Sequence, residues 1–318
     1  MQRPSEPPEL DVAAVTAAFE ARALAAAPDQ AVLATELIRR LQPDHWTLEW
    51  YLPWWLGQSL AVDPAICGDI VLGNVLGLAS LRLRDDLADG EIRPADEPGA
   101  RALSDALYAE AMALFRERFG ETSPLWAVLA RSMAQWDVAT LAHALRPAGS
   151  RRHRPRLRRF DVIARRGAPL KVCASALCLL ADRPDIVPRL DAAIDHALAA
   201  WILFDDANDW PADIAAGRWN AFVARVAIEP QETSRPDELH TAVIMAMLTT
   251  DRTQRYFSTI RRAVERSASI ADEVGLRPLA EHVRAFGAHA ARRGEQVQNH
   301  YHALTERATV LMFGDASG

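Results

Sequence analysis

Residues 63–89 read DPAICGDIVLGNVLGLASLRLRDDLAD, a stretch whose spacing is that of a long helix. Asp63 and Pro64 suit an N-cap and a first-turn proline, and apolar residues then recur at steps of three and four. This pattern predicts a helix over residues 64–88. The helix ends in an acidic cluster, Asp85-Asp86-Leu87-Ala88-Asp89.

The acidic cluster continues the apolar stripe of its helix. Because an α-helix turns by ~100° per residue, Asp85 and Asp89 share a face. Stepping back from Asp85 along that face reaches Leu81, Leu78, Asn74 and Val71, which are mostly apolar. An inward carboxylate is costly unless a cation neutralises it, so the cluster is a candidate metal site. The alternative is a solvated helix end with chance aspartates, which the stripe disfavours.

A second acidic cluster lies later in the chain. It reads Asp205-Asp206-Ala207-Asn208-Asp209, continues to Asp213 and closes with Gly217-Arg218. Stepping back from Asp205 again reaches the apolar stripe of its own helix. The alternative is a helix cap: Pro211 removes a backbone donor, and Asp209 could cap a new helix that begins there. Capping and metal binding are compatible, and we expect a kink or break near Trp210.

The rest of the chain predicts an all-α fold. No Asn-Gly or Asp-Gly turn joins alternating strands, and helical spacing recurs from segment to segment. We expect one domain over residues 10–318, a bundle of about ten or more helices, with residues 1–9 as a disordered tip. The arginine-rich stretch from Pro147 to Pro155 should join two helices. The predicted helices cover 11–26, 30–41, 64–88, 101–119, 124–145, 157–182, 186–218, 236–249, 251–274 and 278–311.

Composition excludes several classes of protein. The 318 residues carry a net charge of −6, so no polybasic surface favours nucleic acid. The three cysteines have no metal-ligand spacing and fit buried thiols in a reducing cytosol. The N-terminus lacks the features of a signal peptide, and no apolar run approaches the ~18 residues that span a bilayer. We therefore expect a cytoplasmic protein without a transmembrane segment.

Paired acidic clusters suit magnesium chemistry. Magnesium prefers oxygen ligands and is usually held by one or two carboxylates together with substrate phosphates. Two clusters that face each other across a bundle could hold several such ions, with a diphosphate between them. Polarising the diphosphate makes it a leaving group. If the carbon it leaves is allylic, a carbocation results, and an apolar aromatic pocket can shield it from water.

The two motifs together resemble those of the class I isoprenoid synthases. D-D-x-x-D is followed later by D-D-x-x-D-x-x-x-D-x-x-x-G-R, as in that superfamily of prenyl diphosphate synthases, squalene and phytoene synthases and terpene cyclases. The resemblance implies the isoprenoid synthase fold, an all-α bundle around a central cavity, and a cluster of Mg²⁺ ions, commonly three, held by the aspartates. It implies catalytic roles for Asp85, Asp89, Asp205 and Asp209. The implied metal ligands are Asp85, Asp86 and Asp89 on one wall, and Asp205, Asp206, Asp209 and Asp213 on the other.

Basic residues are candidates for binding the diphosphate. Lys171, the only lysine in the chain, resembles the lysine of chain-elongating prenyl synthases that contacts diphosphate. A lone lysine among apolar residues needs an anion. Arg165, Arg166, Arg218 and Arg93 are further candidates. For these arginines the alternative is a solvated head on a packed stem.

Departures from the family patterns narrow the choice of branch. Chain-elongating synthases usually carry a Gly-Gly-Lys-Arg stretch and an arginine pair after the first motif. This chain has no lysine before Lys171, and only Arg93 follows the first motif at a useful distance, which disfavours elongation. Microbial cyclases usually carry an asparagine–serine–glutamate second motif, whereas Asp209 to Arg218 most resembles that of squalene and phytoene synthases. The branch is therefore open between cyclases and coupling enzymes.

We expect a terpene synthase, a carbon–oxygen lyase that ionises one prenyl diphosphate with Mg²⁺ and cyclises or rearranges the cation. The alternatives are head-to-head coupling of two prenyl diphosphates, then chain elongation, and outside enzymes an inactive helical binding protein. An antiparallel homodimer, common in the superfamily, is an open alternative to a monomer. Four tryptophans, Trp46, Trp50, Trp54 and Trp55, suit a core, a dimer interface or a membrane-touching patch.

Overall fold

In a computed structural model, residues 9–44, 46–144, 159–227 and 235–313 are described. Within these ranges every regular element is a helix and none is a strand, which confirms the predicted all-α class. The expected disordered tip at residues 1–9 lies outside the described residues except for Glu9. The expected connection from Pro147 to Pro155 also lies outside them.

Within each described range, short connections join successive helices. Short 3₁₀ segments occur at Pro28–Gln30, Ala164–Leu170 and Pro184–Ile186. The structure agrees at both ends with the helices predicted at 64–88 and 236–249. The α-helices are α1 (Val12–Ala26), α2 (Ala31–Arg40), α3 (Thr47–Ser59), α4 (Pro64–Ala88), α5 (Glu97–Phe119), α6 (Leu125–Ala144), α7 (Phe160–Ile163), α8 (Lys171–Leu180), α9 (Val187–Ala215), α10 (Ala221–Val226), α11 (Pro236–Thr249), α12 (Arg252–Glu273) and α13 (Arg277–Phe313).

The described residues fall into two compact units. The first contains residues 9–144, 166–191 and 274–279. The second contains residues 159–165, 192–273 and 280–313. The single domain expected over residues 10–318 stays a prediction.

Helix α4 is the core helix of the first unit. It packs against α3, α5, α8 and α1, and its residues 71–76 are all buried. Gly57 on α3 allows close approach, because a Cβ atom there would meet the Cys67 Sγ atom of α4. Among the described residues, α4 is the one helix long and apolar enough to cross a membrane. The relevant window is 61% buried inside the protein, as is typical of a core helix.

Helix α3 was absent from the predicted helices, and tertiary packing explains why it forms. Pro53 lies inside it and lacks an N–H group, and its aromatic residues have modest helix propensity. Burial outweighs both effects. Trp50 is fully buried and its Nε1 donates a hydrogen bond to the Leu41 carbonyl at 2.6 Å, and Trp54 is buried as well. These two tryptophans are therefore core residues.

The helix predicted over 157–182 is broken, because its middle carries two poor helix formers. Gly167 and Pro169 lie in the 3₁₀ segment Ala164–Leu170, which separates α7 from α8. Glycine costs backbone entropy in a helix, and proline lacks the required donor. The break places Lys171 at the first position of α8.

In the second unit, α12 packs against α10 and α11. Side chains of α12 also form hydrogen bonds with the part of α9 that belongs to this unit, which begins at Ala192. Tyr256 on α12 donates a hydrogen bond from its hydroxyl to the Leu203 carbonyl at 2.9 Å. Ser267 donates in the same way to the Ala193 carbonyl at 2.8 Å. Both acceptors belong to α9, so buried polar side chains of α12 fix the register of the two helices.

The sequence predicted a kink or a break near Trp210; the break does not occur, and the kink stays a prediction. Helix α9 continues through Pro211 to Ala215, so Asp209 lies inside a helix and does not cap a new one. Trp210 is buried and packs against Phe222 and His240, with ring centroids 6.3 and 4.9 Å away. We infer that this burial outweighs the single backbone hydrogen bond that Pro211 cannot donate.

Candidate functional site

The first acidic cluster lies at the C-terminal end of α4, in the first unit. Asp86 is its buried member, with 3% of its surface exposed, whereas Asp85 is half-buried and Asp89 is an exposed C-cap residue. The sequence placed Asp85 and Asp89 on the inward face; this is wrong for the exposed Asp89, whereas the Asp85 side chain is 17% exposed and stays partly inward. The reason is the direction of the buried face in the last turns, where Leu83 and Asp86 point inward.

Two arginines neutralise the buried carboxylate. Arg82 lies one turn earlier on α4, with its Nε 2.8 Å from Asp86 Oδ1. Arg40, from the last turn of α2, places a terminal guanidinium nitrogen 3.3 Å from Asp86 Oδ2. The Arg82 contact is an ion pair without hydrogen-bond geometry, and Asp86 Oδ1 accepts no hydrogen bond. Charge compensation is therefore present at this buried oxygen, but its hydrogen-bonding capacity is unused.

Asp85 meets one of the predicted diphosphate-binding arginines. Its Oδ2 accepts a hydrogen bond from a terminal nitrogen of Arg166 at 3.1 Å, although the two residues are far apart in sequence. Arg166 belongs to the 3₁₀ segment that leads into Lys171, which is 8% exposed. Within the first unit, the structure thus joins a predicted metal ligand to a predicted diphosphate contact.

The other predicted arginines have different surroundings. The Arg93 side chain is 85% exposed and forms an ion pair with Asp96 at 2.7 Å. Arg165 belongs to the second unit, near Asp161. The pKa of the Asp161 carboxyl is lowered chiefly by the hydrogen bond from Arg159, with a smaller contribution from the charge of Arg165. For Arg93 and Arg165, diphosphate binding stays a prediction.

The second acidic cluster divides into two pairs. Asp205 and Asp209 are exposed and lie one turn apart on α9, so they share a face. Asp206 and Asp213 are half-buried, and each accepts hydrogen bonds from the connection between α9 and α10. The first pair offers carboxylates at the surface of the second unit, and the second pair holds local structure.

Asn220 is the centre of that local structure. Its Nδ2 donates to the Asp206 carbonyl at 2.7 Å and to Asp213 Oδ2 at 2.8 Å. Its Oδ1 accepts from the Val223 backbone as the N-cap of α10, at 2.9 Å. Arg218 donates to Asp213 Oδ1 at 3.1 Å. The predicted diphosphate residue Arg218 therefore forms an ion pair within its own motif.

Gly217 and a backbone amide complete the turn. Gly217 has a φ angle of 71°, a left-handed conformation that favours glycine directly after a helix. Asp206 Oδ2 accepts from the Ala221 backbone at 2.8 Å. The Gly-Arg ending of the motif thus has a structural reason apart from any ligand. A carboxylate offers about four lone-pair sites, so these bonds leave metal binding by Asp206 and Asp213 as a prediction.

Replacing Asn220 by alanine should destabilise the protein. The variant loses the α10 cap and two amide hydrogen bonds, together worth about 2–3 kcal/mol. For a chain of this size, 1 kcal/mol shifts Tm by about 2–4 °C, so thermal unfolding should show a fall of roughly 4–12 °C. Asn208→Ala is the matched control, because Asn208 is exposed and caps no helix: its Nδ2 donates to the Phe204 carbonyl at 3.0 Å and its Oδ1 accepts from Arg293 at 3.4 Å. Equal Tm values for the two variants would contradict the role given to Asn220.

The carboxylates fit a hard divalent cation that a substrate helps to hold. Among the described residues, no group of three His, Cys, Asp or Glu side chains is arranged to hold a metal ion alone. Magnesium seldom needs such a cage, because one or two carboxylates and substrate phosphates usually suffice. Asp85 with Asp89, and Asp205 with Asp209, are pairs of that kind, and Asp86 Oδ1 has unused acceptor capacity. The prediction that the two clusters face each other across a cavity stays a prediction.

The three cysteines are free and buried, as expected. Burial is the main cause that raises the pKa of the Cys67 thiol to about 11 and that of Cys178 to about 12. Burial also raises the pKa of Cys173. All three thiols are therefore protonated near neutral pH, which makes them poor metal ligands and poor nucleophiles.

Glu49 is an ionisable residue that the sequence reasoning missed. Burial raises the pKa of its carboxyl to about 7, against a smaller opposing effect of its own backbone N–H. It was missed because α3 was not predicted. The available signal was its spacing with Pro53 and Leu56, which places all three residues on one helical face.

Comparison with known proteins supports the fold. No protein-family model matches the sequence, and no curated protein matches it. Among solved structures, the chain is similar to the geranylgeranyl pyrophosphate synthetase from the archaeon Geoglobus acetivorans. The TM-score is 0.66 at 13% sequence identity, and the match covers 87% of this chain and 99% of that one. The chain therefore has the all-α isoprenoid synthase fold that the paired motifs imply.

Proposed function

We propose that this protein is a magnesium-dependent enzyme that acts on a prenyl diphosphate and breaks the bond between its allylic carbon and the diphosphate oxygen. The observation that carries the proposal is the contact of Asp85 with Arg166 at 3.1 Å, on the fold of a prenyl diphosphate synthetase. A carboxylate for a metal and a guanidinium for a diphosphate are the two groups that such a reaction requires at one place.

Each basic residue has a distinct task. Arg166 offers a planar guanidinium that can bind two diphosphate oxygens at once, and Lys171 offers a compact point charge. Asp85 and Asp89 in the first unit, and Asp205 and Asp209 in the second, would hold the metal ions. Bound magnesium would neutralise the diphosphate and improve it as a leaving group. Arg166 and Lys171 gain attraction as charge grows on the departing diphosphate, so they favour the transition state over the ground state.

The solved neighbour supports chain elongation as the finer activity. Its name is that of a geranylgeranyl pyrophosphate synthetase, and in such chemistry the prenyl cation adds to the double bond of isopentenyl diphosphate. Cyclisation, which needs only one diphosphate site, is the second candidate. The position of Arg93 favours it. Arg93, the only arginine soon after the first motif, is exposed and paired with Asp96, which leaves a second diphosphate without an evident arginine pair.

A single set of incubations separates these activities. Purified protein receives ten- to twenty-carbon prenyl diphosphates and Mg²⁺, with or without isopentenyl diphosphate, and both released diphosphate and carbon products are measured. Elongation predicts that diphosphate release depends on isopentenyl diphosphate and gives longer prenyl diphosphates. Cyclisation predicts release from one substrate alone and products that extract into hexane. Coupling doubles the carbon count. Absence of release under every condition would refute the proposal and favour a binding protein.

A further inference from the structure

The outward side of α6 carries exposed residues spaced three and four apart, here called the α6 stripe. At ~100° per residue, these residues span about 120° of the helix surface, and Ala134 lies at the centre. The members of the α6 stripe are Ala127, Ala130, Arg131, Ala134, Asp137, Val138 and Leu141. The stripe is thus an apolar surface that carries one charge of each sign.

The side of α6 that packs within the protein is the opposite one. The helix packs against α8, and its buried residues among 125–141, Leu125 and Ser132, lie about 160–180° around the helix from Ala134. A helix that buries one face normally presents a polar face to water, whereas Val138 and Leu141 are 58% and 59% exposed. Contiguous apolar surface of this kind marks a place where a partner binds.

The two charged residues of the α6 stripe lie on its opposite edges. Arg131 precedes Ala134 by three residues and Asp137 follows it by three, so they are about 120° apart around the helix and cannot pair with each other. Among the described residues, neither side chain forms an ion pair or a hydrogen bond. Each charge is therefore available to a partner of the opposite sign.

An antiparallel second copy of α6 supplies both opposite charges. When two such helices meet face to face about Ala134, Arg131 of each copy lies level with Asp137 of the other, because both positions are equally far from Ala134. The same charge pair then occurs at both ends of the contact, as a two-fold symmetric interface requires. A parallel arrangement would instead bring like charges level with each other.

Side-chain sizes match in the same antiparallel register. Ala130 lies level with Val138 of the second copy, and Ala127 lies level with Leu141. Each large side chain therefore meets a small one, which lets the two helices approach closely and interdigitate. At the centre, Ala134 meets Ala134 of the other copy, where a larger side chain would hold the helices apart.

We propose that the α6 stripe binds a second copy of this chain, with the two α6 helices antiparallel about Ala134. The inference does not depend on the proposed function. One helix from each copy is a small contact beside the ~1,200–2,000 Å² that stable interfaces bury. The dimer is therefore a reversible one, and its population depends on the protein concentration.

Sedimentation of the full chain between ~1 and ~200 µM measures this association. We expect a particle of 35.1 kDa at the lowest concentrations and one of twice that mass as the concentration rises. Ala134→Glu places two like charges together at the centre of the contact. It should raise the Kd of the dimer by about 10-fold or more.

Charge reversal tests the register. Asp137→Arg or Arg131→Asp alone puts like charges level with each other at both ends of the contact, and each should raise Kd by about 10-fold. The double variant Arg131→Asp/Asp137→Arg restores opposite charges and should return Kd to near its wild-type value. In a parallel dimer the single reversals would leave like charges level as before, so this pattern of loss and rescue is specific to the antiparallel contact.

Glu36→Arg, a charge reversal at an exposed position of α2, is the matched control and should keep the wild-type Kd. Thermal unfolding of each variant checks that it is folded, which we expect because the substituted side chains are exposed. A monomer at every concentration would overturn the proposal and leave the α6 stripe to a different partner. A dimer that the single reversals leave intact, or that the double variant does not restore, would overturn it as well. None of these outcomes involves diphosphate release, so failure here is distinct from failure of the proposed function.

Discussion

Replacing Asp85 and Asp89 together by alanine should reduce Mg²⁺-dependent diphosphate release by about 10³-fold or more, while the protein stays folded. Loss of one group that stabilises developing charge costs about 10²–10³-fold, and this variant removes a pair. The fold should survive because Asp89 is exposed, and because the Arg166 side chain is 37% exposed and can be solvated without Asp85. Such partly exposed ion pairs contribute about 0–1 kcal/mol.

Asp105→Ala is the matched control for this double variant. Asp105 lies on α5 with its side chain 78% exposed, and it pairs with Arg84 of α4 at 3.1 Å. It thus provides a second aspartate–arginine pair that involves α4, without any assigned role in the chemistry. We expect wild-type release from the control. Wild-type release from the Asp85/Asp89 variant, or loss of activity only through unfolding, would contradict metal binding at this cluster.

The second large effect concerns the aspartates of the second acidic cluster on α9, which divide into an exposed pair and a half-buried, hydrogen-bonded pair. Asp205→Ala with Asp209→Ala should lower diphosphate release by about 10²–10³-fold with little change in Tm, because both side chains are exposed. Asp213→Ala should instead lower Tm by roughly 2–12 °C. It removes the Asp213 acceptor of Arg218 and one of the two acceptors of Asn220 Nδ2, at a cost of about 1–3 kcal/mol.

Thermal unfolding and diphosphate release, measured on the same preparations, check this division. Asp237→Ala is the control, because Asp237 is an exposed acid in the first turn of α11. It should keep wild-type activity and change Tm only slightly. A large loss of Tm from the Asp205/Asp209 variant, with activity lost in proportion, would show that these residues are structural like Asp213.

The fold class was predictable because helical spacing is a local property. Helix α4 has an N-cap, a first-turn proline and a continuous apolar stripe, and its predicted bounds agree with the structure. The prediction failed where tertiary contacts outweigh local preference. Trp50 is buried against Leu41, and this packing supports α3 despite Pro53; Trp210 is buried and supports α9 through Pro211.

The candidate site was predictable in its residue types and less so in its geometry. Spacing alone placed Asp85 and Asp89 on one face, but which face turns inward depends on the packing of α4, and Asp86 is the buried residue. The contact of Asp85 with Arg166 joins distant segments, so no local pattern contains it. The bonds from Asn220 to the second cluster could not be predicted either, because α10 was not among the predicted helices.

The most direct test of the account is release of diphosphate from a prenyl diphosphate in the presence of Mg²⁺, compared with the same mixture in excess EDTA. The account predicts release in Mg²⁺ that disappears with EDTA and in the Asp85/Asp89 double variant. Equal release with and without the metal, or no release from any ten- to twenty-carbon prenyl diphosphate, with or without isopentenyl diphosphate, would contradict it.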